Sequence, residues 1–115
     1  MSKIKIITGK ISVRELQEMS KLFSEQLVKG VVDIAQKKLA LGAGMHVDEE
    51  AALLEEGSEQ KDLWGINMYP FLPKDQWIEY DSMINLRPWQ NNRTRAVDDT
   101  KTREIIAKIV YNMIE

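Results

Sequence analysis

Hydrophobic and polar residues alternate with two different periods along this chain, and each change of period predicts a change of element. Residues 3–7 alternate with period two, which is typical of a half-buried strand. After Ser12, apolar residues return every three or four positions, and Ser12 and Glu15 have the spacing of a capping box. The pattern therefore predicts a strand over residues 3–7 and a helix over residues 13–25.

The next segment becomes β-branched after a glycine and then alternates with small residues. This composition favours two short antiparallel strands joined near Gln36 and Lys37, with a continued helix as the alternative. Asp48 then precedes two glutamates, and the apolar run that follows ends at Gly57. An acidic start and a terminal glycine predict a short helix with Asp48 as its N-cap and Gly57 just past its end.

The second half of the chain predicts two further strands and a final helix. Residues 62–69 alternate and end at a proline, and residues 76–87 alternate again before Pro88. The stripe of apolar residues near the C-terminus has helical spacing, and Asp98 or Asp99 is its predicted N-cap.

The predicted order is β-α-β-β-α-β-β-α, without an internal repeat or a linker. Strands joined mostly by hairpins indicate an α+β protein, with an antiparallel sheet and helices packed on one face. The whole of residues 1–115 is predicted to be a single domain. The other sheet face is then open, so it must be wet, covered by a second subunit or shaped around a ligand.

Composition limits the chemistry that this domain can use. The chain has no cysteine, which excludes a disulfide framework, a thiolate zinc site and an iron–sulfur cluster. No apolar run has the length of a membrane span, and no N-terminal stretch has the length of a signal peptide. We therefore expect a cytoplasmic protein that needs no cofactor and has no contact with a membrane.

Charge is distributed unevenly, although the net charge is only −2. Residues 48–62 carry seven acidic residues and one lysine, whereas four of the five arginines lie between positions 87 and 103. The net negative charge and the acidic segment argue against a nucleic-acid partner. The arginine cluster instead indicates a place for an anion.

Three segments of the chain carry a resemblance to known sequences: GMHVDEEAALLEEGS, LWGINMYP and WIEYDSMINLRPWQNNRTR. Within them stand an H-x-D-E-E word from His46 to Glu50 and a D-S-M-I-N-x-R-P-x-Q-x-N-R-x-R word from Asp81 to Arg95. They resemble a small family of uncharacterised prokaryotic proteins described only as a domain of unknown function. The resemblance covers nearly the whole chain and implies a self-contained domain, but no activity, substrate or cofactor.

The first candidate site is the arginine- and amide-rich stretch after the last predicted strand. Guanidinium groups recognise phosphate and carboxylate through two parallel hydrogen bonds, and amides add neutral donors. The candidate ligand-binding residues are Asn85, Arg87, Gln90, Asn92, Arg93 and Arg95. The alternative is that the arginines pair within the molecule, with Asp81 or with the acidic segment, and hold the loop in place.

The second candidate is the open sheet face, where period-two alternation places Asn67, Glu79, Asp81, Asn85 and Arg87 on one surface. Asp33 lies inside an otherwise apolar strand and could join Asp81 as a catalytic pair that holds a divalent ion. Trp77 and Met83 are predicted on the same face and favour the interface of a homodimer instead.

The third candidate is a metal site formed by His46, the only histidine, with Asp48. Imidazole and carboxylate together suit several divalent ions, but a catalytic zinc site normally has three protein ligands, mostly histidine. The acidic residues are better explained by the first turn of a helix, so we expect no metal here.

These candidates give three hypotheses for function. The preferred one is a small protein that binds an anionic small molecule or an acidic protein surface through the loop and the open face. The second is an enzyme that uses Asp33, Asp81 and a divalent ion on a phosphorylated substrate. The third is a homodimeric scaffold without a small-molecule site. Whether the protein is an enzyme is left open by the sequence.

Overall fold

The computed structural model describes residues 4–23 and 26–115 and shows an α+β fold in the predicted order. The prediction of an antiparallel α+β protein is therefore confirmed. The strands are β1 (Lys5–Ile7), β2 (Val28–Asp33), β3 (Lys38–Leu41), β4 (Leu63–Met68) and β5 (Ile78–Glu79). The helices are α1 (Val13–Ser20), α2 (His46–Glu55) and α3 (Thr100–Met113). Short 3₁₀ turns span Gln60–Asp62, Lys74–Gln76, Met83–Asn85 and Pro88–Gln90.

The five strands form one sheet in the order β1-β3-β2-β4-β5, and every pairing is antiparallel. The predicted hairpin between β2 and β3 is confirmed, and its turn is fixed by the carboxylate of Asp33. One carboxylate oxygen of Asp33 accepts hydrogen bonds from the backbone N–H groups of Ala35 and Gln36, both at 2.9 Å. Lys37 completes the turn in the left-handed region, with φ of 56°.

The first face of the sheet carries the larger hydrophobic core. Helices α1 and α3 pack on this face against Val32, Trp64 and Ile66. The segment before α1 meets the end of α3 beside this core, because Ile11 and Ile114 form a parallel bridge. The backbone N–H of Ile11 donates to Met113 and its carbonyl accepts from Glu115.

The second face carries a smaller core, formed by Val31, Ala40, Leu53 and Leu63. Leu53 belongs to α2, so this helix packs on the face opposite α1 and α3. The sequence placed all three helices on one face because each shows only a single apolar stripe, and a stripe does not say which face it covers. The second face is therefore partly covered by α2 rather than open.

Helices α1 and α2 differ from their predicted limits. Helix α1 ends at Ser20, because Leu22 and Phe23 donate to carbonyls only three residues back, which tightens the chain into a turn. The predicted residues 24 and 25 lie outside the described residues. Helix α2 begins at His46 with Met45 as its N-cap, so the prediction of Asp48 as the cap is wrong.

Two other predicted helix boundaries are confirmed: the end of α2 at a glycine and the start of α3 at an aspartate. Gly57 follows α2 in the left-handed region with φ of 101°. Asp99 caps α3 by accepting a hydrogen bond of 2.9 Å from the backbone N–H of Thr102. Both boundaries can be predicted from single residues, because glycine tolerates positive φ after a helix and aspartate is a short hydrogen-bond acceptor before one.

The predicted strand over residues 76–87 is wrong except at Ile78–Glu79, the only part of it that pairs with β4. Ser82 crosses directly over Gly65, where an added Cβ would stand 2.5 Å from the Cβ of Ser82. The hydroxyl of Ser82 then accepts from the N–H of Ile84 and starts a 3₁₀ turn. The alternating pattern of the sequence thus runs on into this turn, where the backbone is not extended and no strand forms.

Trp77 does not lie on the second face with Met83, because it follows the 3₁₀ turn of Lys74–Gln76 in a helical conformation and precedes β5. The predicted shared surface of Trp77 and Met83 is therefore not present. Trp77 is buried in the first core, donates its indole N–H to the carbonyl of Leu72 at 2.8 Å and stacks on Tyr111. Met83 remains exposed on the surface.

Candidate functional site

A pocket with a volume of about 460 Å³ opens on the second face of the sheet. It lies between the start of α2, the ends of β4 and β5, and the segment that crosses Gly65. Its polar lining residues are Lys29, His46, Asn67, Tyr69, Glu79, Asp81, Ser82 and Arg95. The pocket thus brings together Arg95 of the first sequence candidate, Asn67, Glu79 and Asp81 of the second, and His46 of the third.

Asn67 is a buried polar residue of this pocket, with 7% of its surface exposed. Its amide nitrogen donates to a carboxylate oxygen of Glu79 at 2.8 Å and to the carbonyl of Asp81 at 3.2 Å. The hydroxyl of Tyr69 donates to the same oxygen of Glu79 at 3.0 Å. These bonds fix the orientation of the Asn67 amide, and its Oδ1 is buried without a hydrogen-bond partner among the described residues.

His46 lies beside Asn67 at the first residue of α2. Its Nε2 is 2.8 Å from the carbonyl oxygen of Ile66, an acceptor that requires Nε2 to carry the proton. Burial lowers the pKa of His46, and nearby Lys29 lowers it further, whereas the contacts with Ile66, Asp81 and Asn67 raise it. The ring is therefore neutral at pH 7, and its Nδ1 is a hydrogen-bond acceptor.

Lys29 supplies positive charge to the pocket from β2. Its side chain is half-buried, and no carboxylate lies within ion-pair distance of its amine among the described residues. Lys29 interacts electrostatically with Glu49, which is fully buried in α2. Burial raises the pKa of Glu49 to about 9, so this residue is uncharged at pH 7 and does not neutralise Lys29.

The N-terminus of α2 lies at the same pocket, since Met45, His46 and Val47 all line it. Met45 provides no side-chain cap, so no side chain satisfies the first backbone N–H groups of the helix. These groups carry the positive end of the helix dipole. Lys29 and the start of α2 therefore make this end of the pocket electropositive.

The rim of the pocket combines an ion pair with apolar side chains. Arg95 donates from Nε to a carboxylate oxygen of Asp81 at 2.9 Å, and both side chains are about half exposed. Met45, Val47 and Met83 are exposed at the mouth. An exposed ion pair contributes little to stability, which leaves Arg95 available to reorient toward a bound group.

The amides of the first sequence candidate serve the fold. Asn85 is fully buried and binds the backbone of Gly65 at both N–H and C=O. Asn92 is also buried, and its amide nitrogen donates to the carbonyls of Asn85, Thr94 and Ala96. Gln90 donates to the carbonyl of Lys61 at 2.7 Å. All three use their donors on the loop and its neighbours and none lines the pocket.

The arginines of that candidate are separated from one another. Arg87 is buried, with 1% of its surface exposed, and donates to the carbonyls of Gln60 and Leu63 at 2.6 Å each. Its guanidinium lies 4.1 Å from the ring centre of Trp64. Arg93 is exposed on the loop, and Arg95 reaches the pocket. Of these arginines, Arg95 pairs with Asp81 as the alternative expected, whereas Arg87 donates to backbone carbonyls and not to a carboxylate.

Asp33 and Asp81 do not come together as a catalytic pair. Asp33 lies on the predicted face, but opposite Leu63 at one end of β4, whereas Asp81 contacts Asn67 near the other end. Four residues of strand separate these positions, which is about 13 Å. Asp33 is also fully buried, and its second carboxylate oxygen accepts from the hydroxyl of Ser58 at 2.6 Å. It therefore acts as a turn residue.

The metal candidate is not assembled either. Asp48 is exposed on α2, while the ring of His46 points to Ile66. Across residues 4–23 and 26–115, no group of three or more histidine or acidic side chains is arranged to hold a metal ion. The acidic residues that follow His46 stand in the first turn of α2, where the sequence placed them.

Sequence reasoning did not assign Lys29, Tyr69 or Ser82 to a site. A signal for Lys29 was present, because it is polar in a strand whose next residues on the same face are Val31 and Asp33. Ser82 could not be found from alternation, since the backbone is no longer extended where it enters the pocket.

Comparison with known proteins gives one match. Residues 5–113 match the profile of a family described as protein of unknown function, DUF5674. This agrees with the resemblance seen in the sequence. No curated protein and no solved structure matches the chain. Within the part of the chain that the structure describes, no helix is long and apolar enough to cross a membrane.

Proposed function

Because the chain belongs to the DUF5674 family, which is described only as being of unknown function, we propose a function from its pocket: it binds a small organic anion there. The anion is a carboxylate or a phosphate monoester, held at the electropositive end beside Lys29 and the start of α2. Arg95 approaches from the rim. The pocket volume of about 460 Å³ lies within the range of small-molecule sites.

The single observation that carries this proposal is the state of Lys29. A half-buried amine normally finds a carboxylate partner, because burial disfavours its charge. Among the described residues no carboxylate pairs with Lys29: Glu49, whose carboxyl interacts with it, is neutral at pH 7, Glu79 is held by hydrogen bonds from Asn67 and Tyr69, and Asp81 pairs with Arg95. An anionic ligand supplies the missing charge.

This proposal moves the anion site from the loop to the sheet. Of the loop residues proposed from the sequence, Arg95 is kept as a ligand-binding residue, whereas Asn85, Arg87 and Asn92 hold the loop. Arg93 is exposed outside the pocket lining, so it provides a direct comparison between the two locations.

The test is thermal unfolding in a panel of phosphate, sugar phosphates, nucleotides and dicarboxylates. A ligand at one hundred times its Kd adds about 2.7 kcal/mol to the free energy of unfolding, which raises Tm by several degrees in a domain of this size. We expect such a shift in the wild type, its loss in Lys29→Met and its retention in Lys101→Met, because Lys101 is exposed on α3 away from the pocket.

Two results contradict the proposal. The first is the absence of a shift with any anion in the wild type. The second is a shift that survives in Lys29→Met and disappears in Arg93→Ala, which would return the site to the loop.

A second candidate function, self-association, is favoured by the exposed Met45, Val47 and Met83 at the mouth of the pocket. A homodimer that covers this mouth buries all three side chains. Light scattering at increasing protein concentration decides this, with Met83→Lys as the variant expected to shift a dimer to a monomer. A cytoplasmic location also stays a proposal, resting on the cysteine-free composition.

A further inference from the structure

The side chain of Asn67 has a fixed orientation with one unused acceptor. Both hydrogen bonds of its amide nitrogen go to one side of the pocket, to Glu79 and to the carbonyl of Asp81. Rotating the amide by a half turn would place Oδ1 against a carboxylate and a carbonyl, both of which are acceptors. The Oδ1 atom must therefore stay where it is, buried and without a partner among the described residues.

A second acceptor stands beside it. The neutral ring of His46 donates from Nε2 to Ile66 and keeps a lone pair on Nδ1. His46 and Asn67 both line the pocket and interact with each other. An anion alone cannot satisfy two acceptors, because it brings no hydrogen to donate. A ligand that fills this part of the pocket needs a donor of its own.

From this geometry we propose that the ligand carries a hydroxyl group next to its anionic group, as in a hydroxycarboxylate or a hydroxyalkyl phosphate, and that Asn67 selects for this hydroxyl. The anionic group lies toward Lys29 and the start of α2, and the hydroxyl donates to Oδ1 of Asn67. A hydroxyl is favoured over an ammonium group because Lys29 already places an unpaired positive charge in this pocket. This inference rests on the proposed anion-binding function.

The physical basis of the selection is the cost of an unsatisfied buried acceptor. A ligand without the hydroxyl displaces water from Oδ1 and leaves this atom unpaired, whereas a ligand with the hydroxyl restores a hydrogen bond. We expect the hydroxylated ligand of a matched pair to bind about tenfold more tightly or better.

The experiment compares four probes by NMR titration of the whole chain: lactate with propionate, and 2-hydroxypropyl phosphate with propyl phosphate. The first pair tests a carboxylate and the second tests a phosphate, so the series also identifies the anionic group. Alanine is added as the amino analogue of lactate. The expected result is that one hydroxylated probe exceeds its deoxy partner by about tenfold or more in the wild type.

The variant Asn67→Leu removes the acceptor at similar size, and the ratio within the pair should fall to about twofold or less. If Asn67→Leu does not fold, Glu79→Gln replaces it. Glu79 is exposed at the end of β5, and a glutamine there can donate to Oδ1 of a reversed Asn67 amide, which a carboxylate cannot do, so the ratio falls there as well. Asn112→Ala, an exposed change on α3, should keep the wild-type ratio.

The outcomes separate the two proposals. Failure of all four probes to bind, together with the absence of a thermal shift in the anion panel, overturns the anion-binding function itself. Equal binding within both pairs leaves that function standing and overturns the selection of a hydroxyl. A preference for alanine over lactate, or a hydroxyl preference that persists in Asn67→Leu, also overturns it.

Discussion

The side-chain amide of Asn85 pairs with the backbone of Gly65 as a neighbouring strand would. The N–H of Gly65 donates to Oδ1 of Asn85 at 2.8 Å, and Nδ2 of Asn85 donates to the carbonyl of Gly65 at 3.0 Å. Strand β5 ends at Glu79, so without Asn85 this stretch of β4 would keep unpaired backbone groups in the interior. One asparagine thus continues the sheet where the strand stops.

We expect Asn85→Ala to lower the free energy of unfolding by about 3 kcal/mol, because it leaves the N–H and C=O of Gly65 buried and unpaired. Urea denaturation measures this change. The matched control is Asn112→Ala on the exposed side of α3, which should stay within about 0.5 kcal/mol of the wild type. Equal stability of the two variants would contradict the role given to Asn85.

Replacement of Gly65 by alanine should be strongly destabilising, because the new Cβ would stand 2.5 Å from the Cβ of Ser82. Gly9→Ala is the control, since an added Cβ there meets no atom within 4 Å. We expect a loss of about 2 kcal/mol for Gly65→Ala and little change for Gly9→Ala by thermal unfolding. The double variant Gly65→Ala with Ser82→Gly should recover part of the loss, and a strictly additive result would contradict the steric explanation.

Two arginines of the same loop should differ in how much their replacement lowers the free energy of unfolding. Arg87→Ala removes a buried guanidinium that bonds two backbone carbonyls and packs on Trp64, so we expect a loss of about 3 kcal/mol. Arg93→Ala changes an exposed side chain and should cost less than about 0.5 kcal/mol. Chemical denaturation of both variants at one pH measures these losses. Comparable losses would show that Arg87 does not anchor the loop.

The raised pKa of Glu49 makes the free energy of unfolding depend on pH. Its pKa in the folded protein is about 9, above the ordinary value of 4.5, so the folded state keeps a proton that the unfolded state loses. The stabilisation that the raised pKa gives the folded state is fully present below about pH 4.5. It is lost as the pH rises toward 9, and the free energy of unfolding falls by up to about 1.4 kcal/mol per pH unit. Glu49→Gln, which stays uncharged, should remove this slope in urea titrations from pH 5 to 9. A slope that is unchanged in Glu49→Gln would place its origin in another group.

The sequence predicted those elements whose signals are local. The hairpin at Gln36 and Lys37, the cap at Asp99 and the glycine end at Gly57 were all identified from short-range chemistry, and all are confirmed. It could not predict which face α2 covers, because that depends on how the helix connects across the sheet. It also could not predict that Ser82 crosses Gly65, since this contact joins residues far apart in the chain.

The sequence identified only part of the candidate site, because alternation is informative only where the backbone is extended. Period-two alternation placed Asn67, Glu79 and Asp81 on one face, and the structure brings all three into the pocket. The same rule also placed Asn85 and Arg87 there, although the chain has left the sheet before it reaches them. Residue type alone also did not distinguish an arginine that binds backbone carbonyls from one that faces solvent.

The bridge between Ile11 and Ile114 has a consequence for the order in which the protein folds. The hairpin of β2 and β3 involves contacts close in sequence, so it can form early. Its pairing with β4 joins residues 30 to 40 positions apart, but all of them precede α3 in the chain. The first face of that sheet, however, is closed by α3, the last helix of the described chain, whose end is tied to Ile11. During synthesis the apolar side chains of Val32, Trp64 and Ile66 therefore stay accessible to chaperones until the ribosome has released the final residues of the helix.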